Sequence, residues 1–224
     1  MLAIVFGVLL LIICFGPMTW AGIIMRRHAR ERQDFPGTGG EFARHILDLA
    51  GLDHVGVDIT TTGDHYNPVE KAVRLSKDNF EGRSLTAVAV AAHEVGHALQ
   101  DRDDYRPLRL RTKLAGIASF GERIAHILLV ASPATLFASP KLALVQIGLG
   151  LTIMVGRVVF HLITLPVEFD ASFKRALPIL DKGNYLKRDD LAGAASILRA
   201  CAWTYVAGAL FSVIDVVRWL RFGR

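Results

Sequence analysis

The sequence predicts a mainly α-helical, multi-pass membrane protein with a small α+β region at the cytoplasmic face. Three observations lead there. Of 224 residues, 52% are hydrophobic, a share above that of an ordinary soluble domain. The apolar residues gather into runs long enough to cross a bilayer. Between the first run and the next, residues 34–113 are polar enough for water and mix helical with strand-like patterning.

The elements follow in order. Residues 1–25 form the first transmembrane helix: Leu2 to Met25 carries no charge. The run is too long for a cleaved signal peptide and lacks a basic start. Pro17 is expected to kink it. "RRHARER" follows, with four arginines in seven residues. Under the positive-inside rule this places the N-terminus outside and the chain from residue 26 in the cytoplasm.

Residues 26–113 form a cytoplasmic α+β region. "DFPGTGG" reads as a loop. "GEFARHILDLAGL" reads as a helix, with Phe42, Ile46 and Leu49 on one face and Gly51 as its stop. "HVGVDITT" alternates like a strand, "TGDHYNP" reads as a turn, and "KAVRLS" as a second strand. "GRSLTAVAVAAHEVGHALQ" is a helix with Ser84 as N-cap. Its alanines and Gly96 invite close packing by neighbours.

Residues 114–165 form a transmembrane hairpin. Leu114–Ala138 is apolar except for Glu122, Arg123 and His126. Leu142–Leu165 is apolar except for Gln146, Arg157 and His161. These polar residues read as interhelical pairing or snorkelling rather than catalysis. Residues 166–195 form a second cytoplasmic segment. Residues 196–224 form a fourth transmembrane or an interfacial helix, interrupted by Asp215. A full crossing puts Arg218, Arg221 and Arg224 outside, against the charge rule; a half-inserted helix relieves that conflict.

The net charge of +5 fits cytoplasmic loops and anionic headgroups. No nucleic-acid-binding motif is present, so nucleic acid is not an expected partner. Cys14 and Cys201 both lie in apolar runs and read as small buried hydrophobes.

The chemistry concentrates at residues 93–97, "HEVGH". On a helix, residues four apart share a face. His93 and His97 can therefore offer ring nitrogens to one Zn2+ ion. Glu94 sits one step round, able to reach an activated water as general base without being a ligand. A catalytic zinc takes three protein ligands. The candidates downstream are His126, His161, Glu168 and Asp170. His126 and His161 lie in apolar runs. Two crossings between His97 and "LPVEFDASFKRAL" return the chain to the side it left, which puts Glu168 on the same side as the HEVGH helix, near the bilayer surface.

These stretches, "LTAVAVAAHEVGHALQ", "DHYNP…RLS" and "LPVEFDAS…RAL", resemble the YugP-type membrane zinc metallopeptidases of bacteria over nearly the whole chain. They are also similar to the wider gluzincin pattern, in which HExxH is followed by a helix bearing a third-ligand Glu. The resemblance implies a zincin-like region with His93, His97 and Glu168 as metal ligands and Glu94 as catalytic base. In the wider pattern an Asp stands four residues after that Glu; this chain has Ser172 there.

The expected function is thus an integral-membrane zinc peptidase, an endopeptidase, acting on protein or peptide substrates at the cytoplasmic side of the cell membrane. An inactive zinc-binding membrane adaptor or scaffold is the alternative. Tyr66, His65 and Arg175 are the candidates to stabilise the oxyanion. "KAVRLS" is a candidate edge strand for an extended substrate. Partners are the lipid bilayer and a homo-oligomeric or membrane-protein neighbour.

Overall fold

The computed structural model describes residues 2–183 and 185–222. Helix α1 (Leu2–His28) passes through Pro17 without interruption and ends on Arg26, Arg27 and His28. The side chains of most residues before Phe15, Cys14 among them, and those of Asp215, Arg218 and Arg221, lie outside the description, as does Arg224.

Helix α2 (Gly39–Leu49) starts at a capping box. Thr38 accepts from the Glu41 N–H, and Glu41 accepts from the Thr38 N–H. It stops where expected, with Gly51 in the left-handed region at φ 68°. Three short strands follow: β1 (Gly56–Thr60), β2 (His65–Asn67) and β3 (Ala72–Ser76). The stretch expected as a turn therefore contains a strand. Asn67 Oδ1 accepts from the Val69 and Glu70 N–H groups, and Lys71 adopts φ 51°. This tight reversal sends the chain back as β3, so that Tyr66 pairs with Val73. Three residues are too few to show alternation in a sequence.

The sheet order is β1-β3-β2, parallel for β1 and antiparallel for β2. "KAVRLS" is thus the central strand, paired on both sides, and cannot be the substrate-binding edge. The edges are β1 and β2.

After the short α3 (Lys77–Glu81), helix α4 (Leu85–Arg102) begins at Ser84, whose hydroxyl accepts from the Ala87 N–H at 3.1 Å. Every residue from Leu85 to Gln100 is buried. A helix buried on all sides needs small side chains, and this one supplies alanines and a glycine. A Cβ on Gly96 would stand 2.8 Å from the Ala171 carbonyl oxygen, closer than real Cβ contacts. The core around α4 draws Ile46 and Leu47 from α2, Val73 and Leu75 from β3, and Ile197 and Leu198 from further along the chain. Thr86 ties α4 to α1 by donating to the Met25 carbonyl at 2.8 Å.

Helix α5 (Arg106–Ala138) and helix α6 (Pro140–Phe169) form the hairpin. Ser139 caps α6, with Pro140 in its first turn. The second arm does not stop at Leu165. It runs through Pro166 to Phe169 and continues as a π-helical segment (Asp170–Ala176), then α7 (Leu177–Lys182). Helix α8 (Arg188–Phe222) closes the chain. Among the described residues, three helical stretches are long and apolar enough to cross a membrane: Arg106–Ala138, Pro140–Lys182 and Arg188–Ile214. Glu122 and Arg157 pair across the hairpin at 2.6 Å.

Candidate metal centre

Helix α4 carries His93 and His97 one turn apart, with their rings stacked edge to face at 4.7 Å between centroids. The last turn of α6 carries Glu168, fully buried. Glu168 Oε2 lies 3.2 Å from His93 Nε2 and 3.5 Å from His97 Nε2. One ligand atom from each residue falls within 4.8 Å of the others. Two ligands at about 2.05 Å from a tetrahedral ion lie roughly 3.3 Å apart, so the two histidine–Glu168 spacings match a shared zinc.

Proton bookkeeping strengthens the fit. Gln100 Nε2 donates to the Val167 carbonyl at 2.8 Å and to Asp170 Oδ2 at 2.9 Å. Both partners are acceptors, so the amide orientation is determined and Gln100 Oε1 must face His97. It lies 2.9 Å from His97 Nδ1, which is therefore the donor. A neutral His97 then turns a bare Nε2 lone pair toward Glu168. Ser172 Oγ lies 3.1 Å from His93 Nδ1 and takes the same outer position for the other ligand. Neither Glu168 oxygen accepts an aligned hydrogen bond, although Arg111 Nη1 forms an ion pair with Oε1 at 2.8 Å. Lone pairs facing one another in a buried site call for a cation. Neutral imidazoles with a carboxylate suit zinc.

The Gly96 contact explains how Ser172 reaches His93. The π-helical segment packs directly on the α4 backbone, where a side chain would hold it away. Single π turns recur at functional sites because the extra residue per turn re-aims side chains.

Glu94 lines a cleft of about 290 Å3 with His97, Asp64, His65, Tyr66, Arg111 and Tyr205. Burial, above all, pushes its carboxyl up to about 7; Glu168 and Asp64 push the same way, while His93 and Arg111 oppose it. A larger cavity of about 430 Å3, beside Phe42 and Tyr185, contains none of these groups.

The other expected residues divide. His65 and Tyr66 line the cleft. The Tyr66 hydroxyl, however, donates to Asp101 Oδ2 at 2.6 Å, an oxygen that Lys71 also holds at 2.6 Å. Burial and Asp101 keep that phenol protonated far above its usual range. His65 Nδ1 donates to the Gly63 carbonyl at 2.8 Å, so a neutral His65 has no second proton to offer. Arg175 is not at the cleft. It holds Asp170 through Nε at 2.9 Å and Asp103 through Nη1 at 2.6 Å. Its place is at the far end of the hydrogen-bonded chain Arg175–Asp170–Gln100–His97.

Two cleft residues were not anticipated from the sequence. Arg111 and Tyr205 face the cleft from α5 and α8. No hydrogen bond among the described residues engages the Tyr205 hydroxyl. Gln100 was open to detection, because position i+3 from His97 shares its helix face.

Comparison with known proteins now adds to this geometry. A family described as "Putative neutral zinc metallopeptidase" matches residues 3–224. The chain belongs to this zinc metallopeptidase family. A member from Bacillus subtilis (strain 168), named "Putative membrane protease YugP", is 42% identical over 185 residues, which cover 82% of this chain and 79% of that protein. No solved structure matches the chain. The zinc expected of the family agrees with the His93, His97 and Glu168 cluster.

Proposed function

We propose that this member of the family is a membrane-embedded zinc endopeptidase. One observation carries the reading: three buried ligands converge while the cleft that opens beside them contains an acid, Glu94, bonded to none of them. His93, His97 and Glu168 hold the ion. When bound there, zinc would supply Lewis acidity toward a water and the scissile carbonyl. Glu94 takes the water proton and returns it to the leaving amine. Gln100 and Ser172 fix the ring orientations of His97 and His93. Tyr205 and Arg111 are the donors aimed at the cleft for the developing negative charge.

Strand β2 is the free sheet edge nearest the cleft, and an extended substrate backbone pairs there in place of the central strand. The adaptor reading calls for a closed four-ligand site, whereas three ligands come together among the described residues. Arg26 to Arg32 support a cytoplasmic site; a reporter fused after residue 32 that reads external overturns that side.

The deciding experiment compares purified wild type with Glu94→Gln for zinc content and for cleavage of casein and a peptide library. The variant keeps its zinc, and cleavage falls by about 10^2–10^4-fold. Equal cleavage by both forms rules out this mechanism.

A further inference from the structure

The molecule carries its own measure of where the bilayer lies. Exposed large apolar side chains run along α5 from Ile117 to Phe137 and along α6 from Leu142 to Leu162. Each stretch is 20 helical rises, or about 30 Å, which is the thickness of a hydrocarbon core. Beyond these ends toward the metal, one exposed large apolar side chain remains on each arm, Leu110 between Arg109 and Arg111 and Phe169 between Glu168 and Asp170. With charged neighbours on both sides they belong to the headgroup layer, and the hydrocarbon edge falls at Ile117 and Leu162. The Glu122–Arg157 pair lies five residues inside that edge on each arm, and Arg123 six, within reach of snorkelling to the headgroups.

Glu168 is six residues beyond Leu162, and its partner Arg111 six beyond Ile117. Both distances put the metal ligands about 9 Å outside the hydrocarbon. The lower lip of the cleft is nearer still. Ala115 lines it two residues beyond the edge, about 3 Å out. On α8, a Cβ at Gly208 would stand 3.3 Å from His161, one residue inside the edge. Tyr205, three residues nearer the metal end, therefore also sits about 3 Å out. The opposite lip is His65, Pro68 and Val69, the last an exposed apolar side chain. The cleft thus leads from the membrane boundary to the ligands, walled on one side by two helices long enough to span.

We propose that the substrate is a polypeptide anchored in the same membrane, cut close to the end of its transmembrane segment. This rests on the peptidase reading. A distance of about 9 Å is covered by roughly three extended residues. Cuts therefore fall about three to six residues from the substrate's span. A soluble chain gains nothing from this placement, whereas an anchored one arrives with its juxtamembrane stretch already at the lip.

The test uses full-length, zinc-loaded protein in phosphatidylcholine–phosphatidylglycerol vesicles. The probe is a single-span poly-Leu/Ala helix carrying a 40-residue unstructured casein-derived tail on the metal side. The same tail is supplied free as a soluble peptide, and Glu94→Gln is the control. Cut sites are mapped by mass spectrometry. The anchored tail is cut at least tenfold faster, with cuts clustered within six residues of the span. Moving the span ten residues along the tail moves the cuts with it. Cuts that stay with one sequence, or equal rates on anchored and free tails, overturn the proposal and leave the peptidase standing. If no tail is cut by wild type, the peptidase reading falls and the proposal with it.

Discussion

Two places in this molecule put ionisable groups among apolar neighbours, and they resolve the cost differently. Glu122 and Arg157 face each other across the hairpin at 2.6 Å, one charge answering the other. The pair is complete as it stands. At the α4–α6 junction, His93, His97 and Glu168 also meet, but their outer atoms are all satisfied while their inner atoms are not. Gln100 and Ser172 take the Nδ1 positions and Arg111 pairs with Glu168 Oε1 at 2.8 Å, while Glu168 Oε2 and the two Nε2 atoms face one another with no partner among the described side chains. Polarity that is satisfied within the fold marks structure. Polarity that is held open at a cost of several kcal/mol marks a ligand site.

The largest expected effect comes from closing the open site. Glu168→Ala removes a first ligand and with it both zinc binding and cleavage. The affinity loss exceeds the 10–100-fold typical of outer partners. Metal content by atomic spectroscopy checks this, and stoichiometric zinc in the variant would break the contrast between the two places. A fold readout, such as far-ultraviolet dichroism, separates metal loss from unfolding.

The next effect tests the outer chain. Gln100→Leu keeps the volume but removes the acceptor for His97 Nδ1–H and the donor to Asp170 and the Val167 carbonyl. Zinc affinity falls about 10–100-fold, read by competition with a chelator. Unchanged affinity means that the ring of His97 is oriented by packing alone. Arg175 anchors the far end of the same chain, so Arg175→Met weakens zinc in the same direction by less.

How much of this was legible in the sequence follows the same division. The HEVGH helix, its Ser84 cap and the hairpin were legible because local spacing and long apolar runs specify them. The return of Glu168 to the side of the HEVGH helix was legible through crossing parity, which needs only a count of spans. Four things were not. Strand β2 is too short to alternate, and sheet order is a non-local property, so the central strand was mistaken for an edge. Arg111 sits in "RPLRLRTK", one basic residue among four, and only the packing of α5 on α6 distinguishes it. Tyr205 reaches the cleft from a helix that reads as a plain apolar run. The role of Ser172 was hidden because its reach depends on the π turn and on the Gly96 contact, neither of which leaves a periodic trace.

The smallest effect belongs to the completed pair, and it sharpens the comparison from the other side. Glu122 and Arg157 lie 11 residues from Arg111 and Glu168 along their helices, about 16 Å. Neither touches the cleft. A double-mutant cycle with Glu122→Gln and Arg157→Met measures what they give each other. Polar pairs between membrane helices are worth about 0.6 kcal/mol on average and rarely more than about 1.7, because the separated helices find other partners in the bilayer. Single variants lower thermal stability slightly, the double variant recovers part of it, and zinc affinity stays within about threefold of wild type throughout. Loss of zinc in the Arg157→Met variant would mean that the two polar places are coupled through α6. The division between a finished pair and an unfinished site would then fail, since the hairpin would be holding Glu168 in place.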